Sequence, residues 1–264
     1  MQLVKPRSIV LYGLGLNTDL ESEHAAELAG SEAKRVHIND LIEKNDSLSN
    51  YQLLIMPGGF ADGDVLGAGK IFAYRIKHGL SDQIQRFIED DKLIFGACNG
   101  FQIMVKAGLL PGFDRNYKEQ LVTLTNNDSG RFEDRWVYLK ANKESPCIFT
   151  KDIQRLYMGV RHGEGKFVTL NEDVYERLKR NNHVVVCYTD MIGNMNPPYP
   201  WNPNGSVDGI AGICDETGRI FGLMPHPEAF IHKTNHPRWT RKDEDADKML
   251  SYNKIFENAI NYFK

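Results

Sequence analysis

No apolar run in the 264 residues reaches the length a bilayer-spanning helix needs, so a helical membrane protein is excluded. Cysteine is scarce. Cys98, Cys147, Cys187 and Cys214 are widely separated and form no Cys-x-x-Cys pair, which argues against a zinc knuckle or a dithiol redox motif and leaves reduced thiols as the expectation. There is no excess of positive charge either. The formal net charge is −3, and the short basic cluster Arg238, Arg241 and Lys242 is answered at once by Asp243, Glu244 and Asp245, so nucleic acid is not an expected partner. The opening residues, Met1 to Arg7, carry no apolar core and no cleavage signature of a secretory leader, which makes the cytoplasm the expected location.

What is present is ordinary globular material, 41% hydrophobic and 25% charged, in a chain long enough to bury a sizeable core. The first half alternates strand-like stretches at 8–12, 35–38, 52–56 and 92–95 with helix-like stretches at 20–29, 82–89 and 99–107. Such alternation predicts an α/β fold: an open, mostly parallel sheet with helices on both faces. The second half reads as strands at 121–125, 135–139, 183–188 and 219–223 between loops rich in Asn, Gly and Pro, so the sheet is expected to become mixed there. The segment 194–205 holds four prolines and cannot form a regular helix, leaving an ordered loop or a mobile lid. Met249, Tyr252, Phe256, Ala259 and Phe263 recur at three- and four-residue steps, predicting a terminal helix with one apolar face. No internal repeat is visible, and a single domain over 1–264 with a helical extension from about 231 is expected.

Chemistry should gather at the carboxyl edge of the parallel strands, where the connecting loops converge. Cys98 stands there, between the apolar run Leu93-Ile94-Phe95 and a helix-like run, with Gly96, Ala97 and Gly100 around it. A residue on a sharp strand-to-helix turn points out of the sheet, and the nearby helix N-terminus favours the anionic, attacking form of a sulfur. A packed thiol is the alternative. In Met224-Pro225-His226-Pro227-Glu228 a strand delivers a histidine into a segment that two prolines keep extended, so His226 and Glu228 should face one side. An imidazole beside a thiol can take its proton and return one to a leaving amine, while a carboxylate on the other ring nitrogen fixes the tautomer. Taken alone, that segment could equally be a solvated turn.

Pro57-Gly58-Gly59-Phe60 after the third strand is either a tight turn or a place where bare amides approach a carbonyl; the Gly59 amide with that of Asn99 would make an oxyanion hole. Gln102, one turn along from Cys98, could contact a small polar substrate or be solvated. Three other motifs lead nowhere. Gly13-Leu14-Gly15 lacks the third glycine of a dinucleotide fingerprint, since Thr18 stands in its place, and Gly67-Ala68-Gly69-Lys70 lacks the first glycine and the hydroxyl of a phosphate loop. His232 and His236 have helical ligand spacing, but Pro237 follows and no third ligand is evident, so they are expected at the surface and no metal site is expected. His162 in Arg161-His162-Gly163-Glu164-Gly165 lines the pocket or orders a loop, and Cys147, Cys187 and Cys214 are expected in the core.

The cysteine turn and the His-x-Glu segment after a late strand resemble the class I, or triad, glutamine amidotransferases. The likeness runs from Gly13 to Phe230 and includes 57–64, 96–111, Ser129-Gly130-Arg131-Phe132, His162-Gly163-Glu164-Gly165, 202–206 and 218–230. The resemblance implies a flavodoxin-like sheet. It also implies Cys98 as nucleophile, His226 as base and then acid, Glu228 as the group that orients it, Gly59 and Asn99 at the oxyanion, and Gly58, Phe60 and Gln102 at the glutamine. It further implies a glutaminase that needs no cofactor of its own and passes ammonia, in purine biosynthesis, to a separate synthetase subunit using ATP and magnesium, with a small accessory subunit in the same complex. From the residues alone, a cysteine hydrolase acting on another amide or a peptide remains open, as do a glutaminase for another synthetase and a non-enzymatic binding subunit.

Overall fold

The computed structural model describes residues 5–241 and 253–264. Strand β1 (Arg7–Tyr12) is followed by helix α1 (Asp19–Leu28), β2 (Glu32–His37), α2 (Ile38–Ile42) and β3 (Leu53–Met56). Helices α3 (Lys70–Gly79) and α4 (Ser81–Glu89) lead to β4 (Leu93–Ala97) and α5 (Asn99–Ala107). Then come β5 (Val122–Thr125), β6 (Glu133–Ala141), β7 (Arg155–His162), β8 (Lys166–Thr169), α6 (Glu172–Arg180), β9 (Val184–Thr189), β10 (Ile210–Cys214), β11 (Ile220–Leu223) and the terminal helix α7 (Lys254–Asn261).

Nine strands make one sheet in the order β2-β1-β3-β4-β11-β10-β9-β6-β7, and β5 and β8 form a separate antiparallel pair. Pairing is parallel from β2 to β11 and antiparallel from β11 to β7, which matches the expected change of character in the second half. The central parallel strands are buried on both faces, and their side chains divide by alternation. Ile9, Leu11, Leu54, Met56 and Ile94 enter one core with α2 to α5; Val10, Leu53, Ile55, Leu93 and Phe95 enter the other with α1 and α7. After β1 the chain turns to one side to form β2 and then returns to lay β3 on the other side, so β1 and β3 flank a topological switch point. The loops that matter below leave the sheet at that edge.

The expected helices at 20–29, 82–89 and 99–107 are α1, α4 and α5, and α5 ends on Gly108 with φ +88°, where a left-handed cap is needed. The terminal helix buries Phe256 and Ala259 as its periodicity predicts, while Met249 and Tyr252 lie outside the described residues. Segment 194–205 is an irregular loop, and Asn202 and Asn204 bury their side chains in hydrogen bonds, which fixes it in place. Cys147, Cys187 and Cys214 are buried free thiols. His236 corrects an expectation: it is 4% exposed, packed among Trp136, Tyr157 and Phe230, because the chain after Phe230 folds back over β6 and β7 instead of running into solvent. Among the described residues no helix is long and apolar enough to cross a membrane.

Candidate active site

β4 and β11 are adjacent and parallel, with Gly96 opposite Gly222 and Ala97 opposite Leu223, so the chain leaves both strands side by side. Cys98 exits from one and the His226 segment from the other. Cys98 N donates to Leu223 O at 2.8 Å and ties the two exits together. The cysteine itself has φ +49° and ψ −107°, a conformation L-residues rarely adopt and one that persists only when its surroundings enforce it. The enforcement is steric. A Cβ on Gly100 would lie 1.9 Å from Met56 O, one on Gly96 2.8 Å from the Gly100 carbonyl carbon, and one on Gly222 2.2 Å from the Phe101 ring. Helix α5 therefore rests on strand backbone, and the turn into it has to be abrupt.

The Cys98 sulfur is nearly buried, at 4% residue exposure, and its thiol donates to Arg161 O at 3.6 Å. His226 hangs from β7 through its amide, which donates to Gly159 O at 2.9 Å. Its Nδ1 lies 2.5 Å from Glu228 Oε1, with both side chains buried, and its Nε2 is left with no partner among the described residues except the Cys98 sulfur, which acts on the ring. Burial opposes a charge on this ring, but the Glu228 carboxylate and the Cys98 sulfur outweigh burial and raise the His226 pKa from 6.5 to about 10. The imidazole thus holds a proton at neutral pH and feels the sulfur directly. The segment is not extended through Glu228, as its prolines suggested: Pro227–Ala229 is a single 3-10 turn. Proline suits the first position of such a turn, where its missing N–H costs nothing, and the turn brings the carboxylate back onto the ring.

The loop after β3 passes across the imidazole. A Cβ on Gly58 would sit 2.6 Å from His226 Cε1, and Gly59 takes φ +147° against Leu16, a place for glycine alone. Gly58 N donates to Thr18 Oγ1 at 2.8 Å and Phe60 N to Gly15 O at 2.7 Å, so of the three amides in this turn Gly59 N is the one left for a ligand. Asn99 N opens α5, where amides have no intrahelical acceptor. The Asn99 side chain faces inward. Its Oδ1 accepts from Ala61 N at 2.9 Å, and its Nδ2 donates to Gln102 Oε1 at 2.7 Å and to Asp64 Oδ1 at 3.2 Å. Gln102 in turn donates to Glu164 O at 2.7 Å. Gln102 is therefore buried and not solvated: its Oε1 accepts from Asn99 on the same helix and its Nε2 ties α5 to Glu164, while Asn99 ties the helix to the loop at 61–64. Phe60 is 44% exposed and meets the Phe132 ring at 6.2 Å, at the rim of the site.

Sequence reasoning missed the supports. Leu14 and Gly15 brace the Gly58–Phe60 turn and the residues after it through Asp62 N to Leu14 O and Phe60 N to Gly15 O, and Thr18, noted only as a departure from a fingerprint, holds Gly58. His162 does order a loop. It is buried, bonded to Asn127 Oδ1 at 3.1 Å and to Asn204 Nδ2 at 3.5 Å, and Asn204 continues to the Tyr188 hydroxyl. Burial, with the charge of His226 added, lowers the His162 pKa to about 4. The only signal was that both the His162 stretch and 202–206 lay within the family likeness.

The sequence profile of the CobB/CobQ-like glutamine amidotransferase domain matches residues 5–263. The chain is 47% identical over 260 residues to the phosphoribosylformylglycinamidine synthase subunit PurQ of Dehalococcoides mccartyi and 43% identical over 269 residues to that of Methanococcus maripaludis, in each case covering 98% of both chains. In Dictyostelium discoideum a 32% identical stretch makes up 20% of a longer chain named phosphoribosylformylglycinamidine synthase. The solved structure of PurLQS from Thermotoga maritima contains a chain 31% identical to this one, with a TM-score of 0.73 and coverage of 99% and 100%. Fold and site define the glutamine amidotransferase class. Within it the chain belongs to the family of PurQ, a subunit of phosphoribosylformylglycinamidine synthase.

Proposed function

We propose that this chain is the glutaminase of a phosphoribosylformylglycinamidine synthase, and that Cys98, His226 and Glu228 carry the chemistry. The observation behind the residue roles is the Cys98 turn set beside a buried His226–Glu228 pair on the next parallel strand. With the proton on the imidazole, the Cys98 sulfur attacks the side-chain carbonyl carbon of glutamine as the anion, and the carbonyl π electrons move onto oxygen. Gly59 N and Asn99 N donate to that oxyanion. As the tetrahedral intermediate collapses, the C–N bond breaks, His226 Nε2–H protonates the departing amine, and ammonia leaves a glutamyl thioester on Cys98. The neutral imidazole then takes a proton from water, hydroxide adds to the thioester, and glutamate departs as the sulfur is restored. Glu228 keeps the ring's Nδ1 protonated and aimed throughout. Gly58 makes room for the ring, and Phe60 with Gln102 shapes the glutamine pocket.

This reading needs no cofactor in this chain. ATP and magnesium belong to a synthetase subunit of the PurL kind, which would take the ammonia to formylglycinamide ribonucleotide, with a small PurS-like subunit completing the complex. The fused Dictyostelium chain and the PurLQS assembly support that partnership. Such a complex works in the cytoplasm.

The test is glutamate release from glutamine, measured with and without the synthetase, ATP and formylglycinamide ribonucleotide. Stimulation by the full mixture is expected, and Cys98→Ala should abolish release while leaving the circular dichroism spectrum unchanged. Undiminished release by that variant would remove Cys98 as nucleophile, and hydrolysis of peptides in preference to glutamine would remove the glutaminase reading.

A further inference from the structure

Beside the nucleophile's helix, which contributes Lys106, lies a cavity of about 460 Å³ whose wall includes Lys70, Lys77, Lys106, Thr123, Thr125 and Glu164. Three lysines face it and one carboxylate. That carboxylate is engaged already: Glu164 Oε2 accepts from Ala68 N at 3.2 Å and lies 3.9 Å from Lys106 Nζ. Among the described residues Lys70 and Lys77 form no salt bridge; Lys77 Nζ is held at the rim by Lys118 O at 3.0 Å. Thr123 and Thr125 alternate on β5, so both half-buried hydroxyls fall on the same side of that strand. The remaining wall adds Tyr74 and Gln120; Gln120 Nε2 donates to Val122 O at 3.3 Å and the Thr123 hydroxyl to Leu124 O at 3.5 Å, so among the described residues Lys70 and the Tyr74 and Thr125 hydroxyls are the wall donors that make no hydrogen bond.

We propose that this cavity is a binding site for a small phosphate monoester. Three lysines around a single carboxylate, together with the Tyr74 and Thr125 hydroxyls, suit a dianionic group with three acceptor oxygens, and the space left over suits a small hydroxylated body attached to it. Burial lowers the Lys106 pKa and the neighbouring Lys70 lowers it further, against the pull of Glu164 and Asp64, so an anion here relieves an existing repulsion.

The cavity is wired to the candidate active site. Lys106 sits on α5, two helical turns from Cys98, and its Nζ donates to Ala68 O in the segment that follows the Gly58–Phe60 turn. That segment holds Asp62, Gly63, Asp64, Leu66, Gly67 and Gly69 at positive φ, a strained path kept in place by contacts. A bound phosphate competes with Ala68 O for Lys106 Nζ. Release of Ala68 loosens the clamp that runs through Glu164 and Gln102 to Asn99 and Ala61.

Calorimetric titration of the intact chain at fixed ionic strength tests this, with inorganic phosphate, ribose 5-phosphate and unphosphorylated ribose as probes. One saturable site for ribose 5-phosphate is expected, tighter than for inorganic phosphate, with no heat from ribose. The double variant Lys70→Gln, Lys77→Gln, altered only at exposed positions, should bind roughly tenfold more weakly, as loss of a charge-assisted contact implies. The absence of saturable binding, affinity unchanged in the double variant, or affinity for inorganic phosphate equal to that for the ester would each overturn the proposal. The measurement reads binding alone, so its failure leaves the glutaminase reading untouched.

Discussion

At the scale of single residues, two buried histidines are held in opposite protonation states by what stands next to them. His226, paired with Glu228 and the Cys98 sulfur, is pushed up to about 10; its folded pKa exceeds the unfolded 6.5, so its contribution to stability is full below pH 6.5 and lost as pH rises through 10. His162, between two neutral amides, is pushed down to about 4, so its contribution is present above pH 6.5 and lost as pH falls toward 4. Acid should therefore destabilise the fold by about 3 kcal/mol through His162 alone. His162→Gln tests this, because glutamine can still donate to Asn127 and accept from Asn204 but cannot titrate: urea unfolding between pH 7.5 and 4.5 should show a shallower loss in the variant, and an equal loss would clear His162. For His226 the informative change is Glu228→Gln, which keeps an acceptor on Nδ1 and removes the charge. Its ring pKa, followed by NMR, should fall toward and below 6.5, and glutaminase turnover should drop by roughly 10²–10⁴-fold as orientation and proton affinity are lost together. A normal rate with a lowered pKa would separate the pair from the chemistry. Cys98, His226 and Glu228 could be picked out because reactive side chains announce themselves by type and by the small residues around them. Thr18, Asn127 and Asn204 could not, since a supporting hydrogen bond between residues 35 or more positions apart leaves no local pattern.

At the scale of elements, what the sequence made legible depended on how apolar each piece is. β1, β3 and β4 are continuous apolar runs because both faces of the sheet are covered there, and α5 showed its end at Gly108. β10 escaped notice because Gly212 and Ala211 dilute a strand that is fully buried, and β7 because arginines and Gly159 interrupt it. Helix α3 was hidden behind the glycines of 67–69, which resemble a phosphate loop and turn out to cap its start. None of this revealed how closely α5 approaches the sheet. That approach can be tested at Gly100, where a Cβ meets Met56 O at 1.9 Å and neither partner is a flexible side chain. Gly100→Ala has to push the first turn of α5 off β3, at a cost of about 1–3 kcal/mol for overpacking, offset only slightly by alanine's better helix propensity. Because the same turn carries Cys98 and the Asn99 amide, glutaminase kcat should fall even where the protein is fully folded. A destabilised variant with wild-type kcat would show that the helix can shift without disturbing the site.

On the scale of the whole molecule, one sheet serves two purposes: its parallel half supplies the edge where Cys98 and His226 meet, and its antiparallel half carries the Gly159 and Arg161 carbonyls that receive their N–H and S–H. The core on one face of that sheet is closed by α7. Ile255, Phe256, Ala259 and Ile260 are buried there, and Phe256 stands edge-on to Phe95 at 5.4 Å, within a cluster that includes Phe149 and Phe221. Phe95 belongs to β4 and Phe221 to β11, so the terminal helix packs under the two strands that deliver the candidate nucleophile and base. If α7 acts as part of one cooperative core, Phe256→Ala should cost about 3–5 kcal/mol, the transfer and cavity terms of a buried aromatic ring. The melting temperature should fall by roughly 10 °C in a single transition. The site itself lies at the strand ends, beyond the cavity, so turnover measured well below the midpoint should stay near wild type. Two separate transitions in calorimetry would instead mark α7 as an independent extension. Loss of turnover in the fully folded variant would mean that the spacing between β4 and β11 is set from beneath.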